Sequence, residues 1–375
     1  MRIAVVAYEM EGDRTGVGRY LEGLLAGIAD CPGDDTWRLY FKGDPFEHPL
    51  WQRERTDGPR FEPIFDRRPE ARPILWEQWR LPRLLRRDRP DLIFSPAYSL
   101  PTGGGAPGVV TVHDLSFELL GDEFPRKERW RRRLLARRAA RRARRILTDR
   151  EEIGRDLMRV YKVPYEKIAV VPLGIDERFF DTTGASADDE SLARHGITAP
   201  FLLYLGSILE RRHIERIIQA FAQIAPDHPA VTLVIAGRNR LRRRDDLRHW
   251  IEASGVDKSI VRLGYVPEED LLPLYRRATL SYYLSTYEGY GLPPLESLAA
   301  GTPVVASRGL ALDDLWPDYP YRAMTLDAST IARVTGAALR DDERRRQVAQ
   351  EGAERMAKLD WRHAAERFLS EIRRA

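Results

Sequence analysis

The chain has 375 residues, 43% hydrophobic and 31% charged, a composition typical of a water-soluble globular protein large enough for two domains. No stretch approaches the roughly 20 apolar residues that cross a bilayer, and the apolar run after Met1 is too short for a signal peptide. Cys31 is the single cysteine, which excludes an intrachain disulfide framework and favours a reducing cytoplasm. The net charge of +4 is modest.

Apolar, β-branched runs alternate with amphipathic runs, a pattern typical of βαβ units and parallel sheets. We predict strands at 2–7, 37–41, 91–95, 108–113, 145–148 and 168–172, then at 201–205, 231–236, 260–263, 279–284 and 302–306. The intervening segment 181–200 is rich in Asp, Ser, Thr, Gly and Ala and predicts an exposed linker. Two such α/β sheets would bind a ligand in a cleft at their carboxyl edges.

Gly16 and Gly18 follow the first predicted strand and open the next predicted helix. They resemble the start of a dinucleotide fingerprint, but Leu21 follows and the full Gly-x-Gly-x-x-Gly spacing is absent. A nicotinamide site is therefore not expected. A turn that faces phosphate or substrate and a plain turn remain alternatives.

His113 ends the fourth predicted strand, next to Asp114. Its ring could hydrogen-bond a ligand hydroxyl at the carboxyl edge of the sheet, and a purely structural histidine is the alternative.

The segment 126–145 predicts a strongly basic helix with one apolar stripe, formed by Leu135, Ala136, Ala139, Ala140 and Ala143. We favour a helix that packs this stripe on the sheet and exposes its arginines to solvent. Contact of Arg126–Arg145 with an anionic membrane, at the inner face of the plasma membrane, is the second interpretation. Nucleic acid is not expected, because no aromatic platform or known nucleic-acid-binding motif accompanies the arginines.

Arg211 and Arg212 follow the first predicted strand of the second half, at the start of a helix predicted to continue through Phe221. Two guanidiniums oppose the dipole at a helix N-terminus unless an anion neutralises them, and a diphosphate is such an anion. Two solvated arginines are the alternative.

The most informative segment runs from Tyr287 to Gly301 and reads YEGYGLPPLESLAAG. Glu288 and Glu296, with seven residues between them, flank a Gly-rich turn that opens a predicted helix. Glycines let the backbone approach a ligand, a helix N-terminus attracts an anion, and carboxylates suit hydroxyl groups. A sugar nucleotide has a diphosphate between two sets of hydroxyls and would satisfy both. The alternative is an ordinary turn in which Glu296 favours the first helical turn.

Taken in order, these segments resemble a retaining glycosyltransferase of family 4 with the GT-B fold, and they look most like bacterial polysaccharide mannosyltransferases. The resembling segments cover nearly the whole chain and lie at 16–20, 75–82, 91–96, 110–115, 170–176, 263–266, 270–275, 287–301 and 359–367. The absence of Asp-x-Asp, Walker A, His-Glu-x-x-His and Gly-x-Ser-x-Gly motifs argues against metal-bridged inverting transferases, NTPases, zinc proteases and serine hydrolases.

The resemblance implies an α/β protein of two Rossmann-like parallel-sheet domains that face each other across a cleft. The N-terminal, acceptor-side domain would span 1–178 and include the returning helix 360–375, and the nucleotide-sugar domain would span 179–359. The implied reaction moves a hexose from a nucleotide sugar to a glycan or lipid-linked acceptor, without a metal or other cofactor. The resemblance to mannosyltransferases favours mannose from GDP-mannose. A UDP-glucose or UDP-N-acetylglucosamine donor, a sugar-nucleotide 2-epimerase and a catalytically dead binding subunit are the alternatives.

The resemblance also implies roles for individual residues. Catalytic roles fall to Glu288 at the donor sugar, His113 beside that sugar and Arg212 on the diphosphate. The other implied donor-binding residues are Gly16, Gly18, Ser207, Arg211, Tyr265, Val266, Gly289, Tyr290, Gly291, Leu292 and Glu296. Among these, Glu296 would bind the ribose.

Three segments depart from the family pattern. Residues 148–151 read Thr-Asp-Arg-Glu where Thr-x-Ser-Glu is usual, and Leu173 replaces a common Asn. The segment 308–324 lacks the usual acidic loop and is rich in Asp, Pro and Tyr, so we expect donor or acceptor selection to differ there.

Overall fold

The computed structural model describes residues 1–12, 15–52, 58–181 and 183–375. Within these ranges the chain forms two compact units. One is Met1–Gly174 together with Leu359–Ala375, and the other is Ile175–Lys358. The roles that the sequence assigns to domains 1–178 and 179–359 stay predictions.

The first unit is built on a parallel sheet with the order β3-β2-β1-β4-β5-β6-β7. Its strands are β1 Arg2–Val6, β2 Thr36–Phe41, β3 Arg60–Phe65, β4 Leu92–Ser95, β5 Gly108–Thr111, β6 Arg145–Thr148 and β7 Ile168–Val170. Seven of its α-helices precede the second unit in sequence: α1 Gly16–Ala29, α2 Pro49–Gln52, α3 Pro73–Leu75, α4 Leu81–Asp88, α5 Ser116–Leu119, α6 Arg126–Arg142 and α7 Glu151–Tyr161. A π-helix, Trp76–Arg80, lies between α3 and α4. Most of these strands are buried, as expected for a parallel sheet with helical connections.

Strand β3 is not predicted from the sequence, because Pro63 lies near its centre. Proline removes a backbone donor and is tolerated mainly in edge strands. Strand β3 is such an edge strand and pairs with β2. The eleven predicted strands are confirmed, with ends that agree within two residues.

The second unit has a smaller parallel sheet with the order β10-β9-β8-β11-β12. Its strands are β8 Phe201–Leu205, β9 Thr232–Ala236, β10 Ile260–Leu263, β11 Leu280–Tyr283 and β12 Val304–Ala306. Its helices are α8 Ala185–Arg194, α9 Ile214–Ile224, α10 Asp246–Ala253, α11 Leu271–Arg277, α12 Leu292–Ala299, α13 Ala311–Leu315, α14 Ala328–Arg340 and α15 Asp342–Met356.

The last helix, α16 (Trp361–Ile372), belongs to the first unit and packs on α1. Two glycines of α1 permit this close approach. A Cβ atom on Gly23 would lie 2.2 Å from the Trp361 ring, and one on Gly27 would lie 2.1 Å from the Trp361 carbonyl oxygen. Phe368 of α16 then packs edge-on against Phe94, with ring centroids 4.7 Å apart. The end of the chain thus completes the core of the first unit.

The predicted linker at 181–200 is wrong, because helix α8 occupies half of it and packs on α11. The carboxylate of Asp270 accepts hydrogen bonds from the Ser191 hydroxyl at 2.6 Å and from Arg194 at 2.8 Å. Arg276 of α11 pairs with Asp188 of α8 at 2.5 Å. These partners lie far away in sequence, so the polar composition of the segment does not reveal them.

The predicted α/β class with two Rossmann-like parallel sheets is confirmed. No helix in the described part of the chain is long and apolar enough to cross a membrane.

Candidate active site

The residues of the Tyr287–Gly301 segment and of the Arg211–Arg212 pair follow two neighbouring strands. Strand β8 lies beside β11 in the second sheet. From β8, the strands that follow in sequence, β9 and β10, are added on one side, and β11 and β12 are added on the other side, so β8 and β11 form the topological switch point. In open parallel sheets, ligands bind at the carboxyl ends of the strands at such a switch point. The loops that follow β8 and β11 therefore lie where a ligand is expected.

Arg212 and Glu288 form a buried ion pair between these two loops. The Arg212 Nε atom donates to Glu288 Oε1 at 2.8 Å, and Arg211 Nε lies 3.6 Å from the same oxygen. The side chains of Arg212 and Glu288 are only 14% and 8% exposed. The structure thus brings together three residues to which the resemblance gives roles. A fourth, Ser207, accepts a hydrogen bond from Arg212 Nη1 through its carbonyl oxygen at 3.1 Å.

The pair keeps both partners charged. Burial raises the pKa of Glu288, but the charges of Arg212 and Arg211 and a hydrogen bond from Ser285 outweigh it, so the pKa lies below its usual value. Burial lowers the pKa of Arg212, but Tyr283 and Glu288 raise it well above its usual value. Glu288 is therefore an ionised carboxylate over the neutral range, unsuited to giving up a proton and suited to accepting hydrogen bonds or facing positive charge.

The position of the two arginines differs from the prediction. They lie in a short 3-10 turn, Glu210–Arg212, and α9 begins only at Ile214. His213, which lies between this turn and α9, has a left-handed backbone with a φ of 50° and so separates the turn from the helix. Glu288, rather than the helix N-terminus, therefore sets the local electrostatics of the arginines.

The turn after Glu288 contains Gly289, Tyr290 and Gly291 and leads into α12 at Leu292. Gly291 has a φ of +82°, a conformation that only glycine adopts readily. Glu296 is buried in the second turn of α12, so the alternative interpretation that it serves the first helical turn is wrong. Its predicted contact with ribose stays a prediction.

Tyr265 and Val266 follow β10, two strands from β8, so they do not join the Arg212–Glu288 pair directly. Val266 is buried, whereas the Tyr265 ring is half exposed and stacks with the Arg238 guanidinium at 4.7 Å. Tyr265, but not Val266, borders a cavity of about 410 Å³ at the carboxyl edge of β9 and β10, lined by Gly237, Arg238, Asn239, Arg240, Arg244, Arg262, Gly264 and Tyr265.

His113 lies in the first unit, and both of its ring nitrogens already have partners. Nδ1 lies 2.7 Å from Asp149 Oδ2, and Nε2 lies 2.9 Å from the Pro96 carbonyl oxygen. Burial lowers the pKa of His113, but Asp149 and the Pro96 carbonyl raise it above its usual value. With two acceptors around it, the ring is best described as an imidazolium that donates through both nitrogens. This geometry favours the structural alternative, and the role beside the donor sugar stays a prediction.

Gly16 and Gly18 open α1, as predicted. The Gly18 N–H donates to the capping Thr15 hydroxyl at 3.1 Å, and a Cβ on Gly18 would lie 2.3 Å from the Glu9 carbonyl oxygen. Gly18 also borders a cavity of about 450 Å³, whose acidic lining residues are Glu11, Glu22, Asp44 and Glu47. Close packing explains this glycine, and the negative lining disfavours a diphosphate there. The donor-binding role of both glycines stays a prediction.

The segment 308–324 is largely packed into the second unit. Trp316, Tyr319 and Tyr321 are buried, and the Tyr319 hydroxyl donates to the Val304 carbonyl oxygen of β12 at 2.8 Å. Arg322 pairs with Asp313. The tyrosines that make this segment unusual in sequence therefore extend the core, and its role in donor or acceptor selection stays a prediction.

Sequence reasoning missed three residues around the ion pair, namely Tyr283, Ser285 and Ser307. Tyr283 ends β11 and its hydroxyl accepts from Arg212 Nη2 at 3.0 Å. Ser285 donates to Glu288 Oε1 at 3.2 Å. The one signal that could have indicated Tyr283 and Ser285 was position, because both lie within five residues of Glu288 at the end of a predicted strand.

Among the described residues, no group of three or more His, Cys, Asp and Glu side chains is arranged to hold a metal ion. The independence of metal and cofactor that the resemblance implies stays a prediction.

Comparison with known proteins agrees with this architecture. Residues 14–179 match the family model described as Glycosyltransferase Family 4, and residues 188–355 match the model described as Glycosyl transferases group 1. The chain belongs to glycosyltransferase family 4.

Individual relatives match over the whole length. The chain is 26% identical to O-antigen chain mannosyltransferase B of Escherichia coli, covering 99% of both chains. It is 25% identical to MMP alpha-(1->4)-mannosyltransferase of Mycolicibacterium hassiacum, covering 100% of this chain and 98% of the relative. The solved structure of HepE from Anabaena in complex with UDP-glucose is 15% identical, with a TM-score of 0.75 and full coverage of both chains, and shows the shared fold. The family and these relatives make the protein a hexosyltransferase with the GT-B fold.

Proposed function

We propose that this protein transfers mannose from GDP-mannose to a glycan or lipid-linked acceptor, with retention of the anomeric configuration and without a metal. The observation that carries the proposal is the Arg212–Glu288 ion pair at the carboxyl ends of β8 and β11. Mannose is favoured as the sugar because relatives that match the whole chain are mannosyltransferases.

The proposed step takes place on one face of the sugar. The bond between the anomeric carbon and the diphosphate oxygen breaks, and its electron pair leaves with GDP. The acceptor hydroxyl oxygen attacks the same face, and its proton passes to an oxygen of the departing phosphate. Positive charge develops at the anomeric carbon and negative charge on the phosphate. Glu288 would stabilise the first, and Arg211 with Arg212 the second, which is commonly the largest contribution to catalysis.

Donor identity is tested by ligand-dependent stability. A bound donor raises the free energy of unfolding by mass action, by about 2.7 kcal/mol at a concentration 100 times its Kd. We expect GDP-mannose to raise the melting temperature more than UDP-glucose or UDP-N-acetylglucosamine at equal concentration. A shift with UDP-sugars alone would reject the guanine nucleotide and favour a UDP-sugar transferase.

Retention is tested with water as a slow acceptor. GDP release from GDP-mannose is followed together with the NMR spectrum of the released sugar. The donor is an α-linked mannoside, so retention gives the α-anomer first, before it equilibrates with the β-anomer. Initial formation of the β-anomer would contradict the same-face mechanism, and the absence of any turnover with any donor would reject the transferase assignment.

We also propose that α6 contacts an anionic membrane, which would suit a lipid-linked acceptor. The predicted stripe of α6 is buried on the unit, at Ala136, Ala139 and Ala140. On its opposite face, Trp130 is 68% exposed and Leu134, one turn later, is 51% exposed. The cations around these two side chains that have no ion-pair partner among the described residues include Lys127, Arg131, Arg138 and Arg141. Aromatic and aliphatic side chains flanked by cations are typical of helices that lie in a lipid interface.

Membrane contact is tested by co-sedimentation with vesicles of phosphatidylglycerol and of phosphatidylcholine. We expect binding to the anionic vesicles only, reduced by added salt and by the Arg131→Glu/Arg138→Glu and Trp130→Ala variants. The matched control is Arg333→Glu/Arg346→Glu, which changes the net charge equally at exposed positions of the second unit. Equal loss of binding in the control would show net charge rather than α6 at work, and no binding to either vesicle would reject the contact.

A further inference from the structure

The Arg212 guanidinium is almost fully engaged by the protein. Its Nε donates to Glu288 Oε1 at 2.8 Å, and its Nη1 donates to the Ser207 carbonyl oxygen at 3.1 Å. Its Nη2 donates to the Tyr283 hydroxyl at 3.0 Å and points to Glu288 Oε2 at 3.4 Å. A guanidinium has five N–H groups, and these contacts engage four of them. The Tyr204 hydroxyl is a further hydrogen-bond partner of the Arg212 side chain.

Tyr283 fixes this guanidinium in two ways. Its hydroxyl accepts from Nη2, and its ring lies against the guanidinium, with the Arg212 Cζ atom 5.1 Å from the ring centroid. Burial raises the pKa of Tyr283 far above its usual value, so the hydroxyl remains neutral and does not compete with Glu288 for the charge. Tyr283 ends β11, one of the two switch-point strands, and so has a rigid backbone.

Ser285 fixes the carboxylate. Its hydroxyl proton is shared between the Tyr287 carbonyl oxygen at 3.1 Å and Glu288 Oε1 at 3.2 Å. The backbone of Ser285 is itself held by the buried Ser307 hydroxyl, which accepts from Ser285 N at 2.9 Å and donates to Ser285 O at 3.0 Å. The loop after β12 thereby supports the loop that carries Glu288.

We propose that Tyr283 and Ser285 are positioning residues that hold Arg212 and Glu288 as one preset ion pair, so that Arg212 orients Glu288 in addition to its proposed role at the phosphate. The proposal rests on the proposed transfer and adds two residues to its machinery. It also changes the expected role of Arg212. With at least four of its five N–H groups engaged by the protein, Arg212 is not arranged for the two parallel contacts with a diphosphate for which arginine is suited.

The choice of arginine then has a local reason. A lysine, the other cation that could stand at position 212, has an ammonium that carries three N–H groups at a single point. It could not reach Glu288, Tyr283 and the Ser207 carbonyl oxygen from one atom in the way that the guanidinium does. If Arg212 served only as a charge for the diphosphate, Arg212→Lys would be nearly neutral. The proposal predicts that it is not.

The test compares Tyr283→Phe and Ser285→Ala with Tyr282→Phe. Tyr282 is the neighbouring buried tyrosine of β11, and its hydroxyl donates to Thr335 at 3.1 Å, away from the ion pair. We expect Tyr283→Phe to lower kcat about 10-fold or more, with the donor KM changed less than about 2-fold, because small misplacements of reacting groups are costly. Tyr282→Phe should lower the melting temperature and leave both constants unchanged.

The pH profile of kcat/KM provides a readout that a purely structural role would not move. The groups that face Glu288 are Arg211, Arg212, Tyr204, Tyr283 and Ser285. Only Glu288 among them titrates in the acid range. Ser285 is one of the groups that lower the pKa of Glu288, so removing its hydroxyl should raise this pKa and move the acid limb to higher pH. Tyr282→Phe should leave the acid limb in place.

Three outcomes would overturn the proposal while the wild-type protein still transfers mannose. These are an unchanged kcat in Tyr283→Phe, an unmoved acid limb in Ser285→Ala, and an Arg212→Lys variant within about 2-fold of wild type. A wild-type protein inactive with every nucleotide sugar would instead reject the proposed function. Because the two failures appear in different samples, they can be told apart.

Discussion

Each unit of this protein has a partly buried ion pair at the carboxyl edge of its sheet, and the two pairs differ in which partner can lose its charge. In the second unit, Arg212 pairs with Glu288 after the two switch-point strands. In the first unit, His113 pairs with Asp149 after β5 and β6, which are not the switch-point strands. The guanidinium remains charged at any pH that the fold survives, whereas the imidazolium of His113, whose pKa is raised above its ordinary value by Asp149, can still lose its proton as the pH rises.

This difference predicts a role in ligand binding for the Arg212–Glu288 pair and a structural role for the His113–Asp149 pair. The carboxylate of Glu288 is ionised throughout the neutral range and lies where nucleotide sugars are expected to bind. The His113 ring uses both nitrogens on the protein, at Asp149 and at Pro96, so no nitrogen is left for a ligand in this arrangement. The comparison therefore predicts that changes at the first pair chiefly affect catalysis, and that changes at the second chiefly affect stability.

The largest effect is expected from Glu288→Ala. Removal of the carboxylate takes away the charge that we propose to face the anomeric carbon, and it frees Arg212 from its position. We expect kcat to fall about 100-fold to 1,000-fold, the range found when one stabilising group is removed from an active site. It also leaves Arg212 buried without its partner, at a cost of about 3–5 kcal/mol.

Circular dichroism and thermal melting check that Glu288→Ala remains folded, as expected if the protein has the roughly 5–15 kcal/mol of stability that is typical of globular proteins. Arg212→Ala, examined in the same way, should also lose most of its activity. A folded variant with wild-type turnover would remove that residue from the active site and, with it, the contrast between the two units.

A smaller effect is expected from Gly206→Ala, which tests the space around Arg212. Gly206 has a φ of +140°, and a Cβ there would lie 2.8 Å from Arg212 Nη1. The added methyl group must displace the guanidinium, so we expect kcat/KM to fall about 10-fold, alongside a backbone strain of roughly 1–3 kcal/mol.

The matched glycine in the other unit is Gly23, where a Cβ would meet the Trp361 ring at 2.2 Å. Gly23→Ala should lower the melting temperature without changing kcat/KM of the folded enzyme. Activity that survives in Gly206→Ala, or is lost in Gly23→Ala at a temperature where the variant is folded, would break the assignment of the site to the second unit.

Much of the fold could be predicted from sequence because burial in a parallel sheet leaves a direct trace. Continuous apolar runs indicate strands such as β9 and β11, and glycines indicate the loops that follow. Strand β3 and helix α8 left no such trace. The first is an edge strand with a proline, and the second is held by polar contacts from residues about 80 positions away, such as Asp270.

The candidate site could be predicted only in part, for a similar reason. Glu288 and Arg212 belong to local patterns that a sequence displays, a Gly-rich turn after one strand and paired arginines after another. Their contact joins positions 76 residues apart and depends on β8 and β11 being neighbours in the sheet. The contributions of Tyr283 and Ser307 depend on the same strand order, which the sequence does not encode locally.

The smallest effect, and the one that separates the two pairs most directly, is the pH dependence of stability. The pKa of His113 is raised in the folded state, so its contribution is fully present below its ordinary value of about 6.5 and is lost as pH rises through the folded value. The Asp149→Asn variant should therefore be less stable than wild type by roughly 2 kcal/mol at pH 6, and the difference should shrink towards pH 9.

Glu288 has a lowered pKa, so its contribution to stability is present above its ordinary pKa of about 4.3 and is lost as pH falls through the folded value. Between pH 6 and 9 the deficit of Glu288→Gln should accordingly stay constant. Chemical denaturation of both variants over this range measures the two slopes, and a constant deficit in Asp149→Asn would mean that His113 is not the charged partner inferred from its two acceptors.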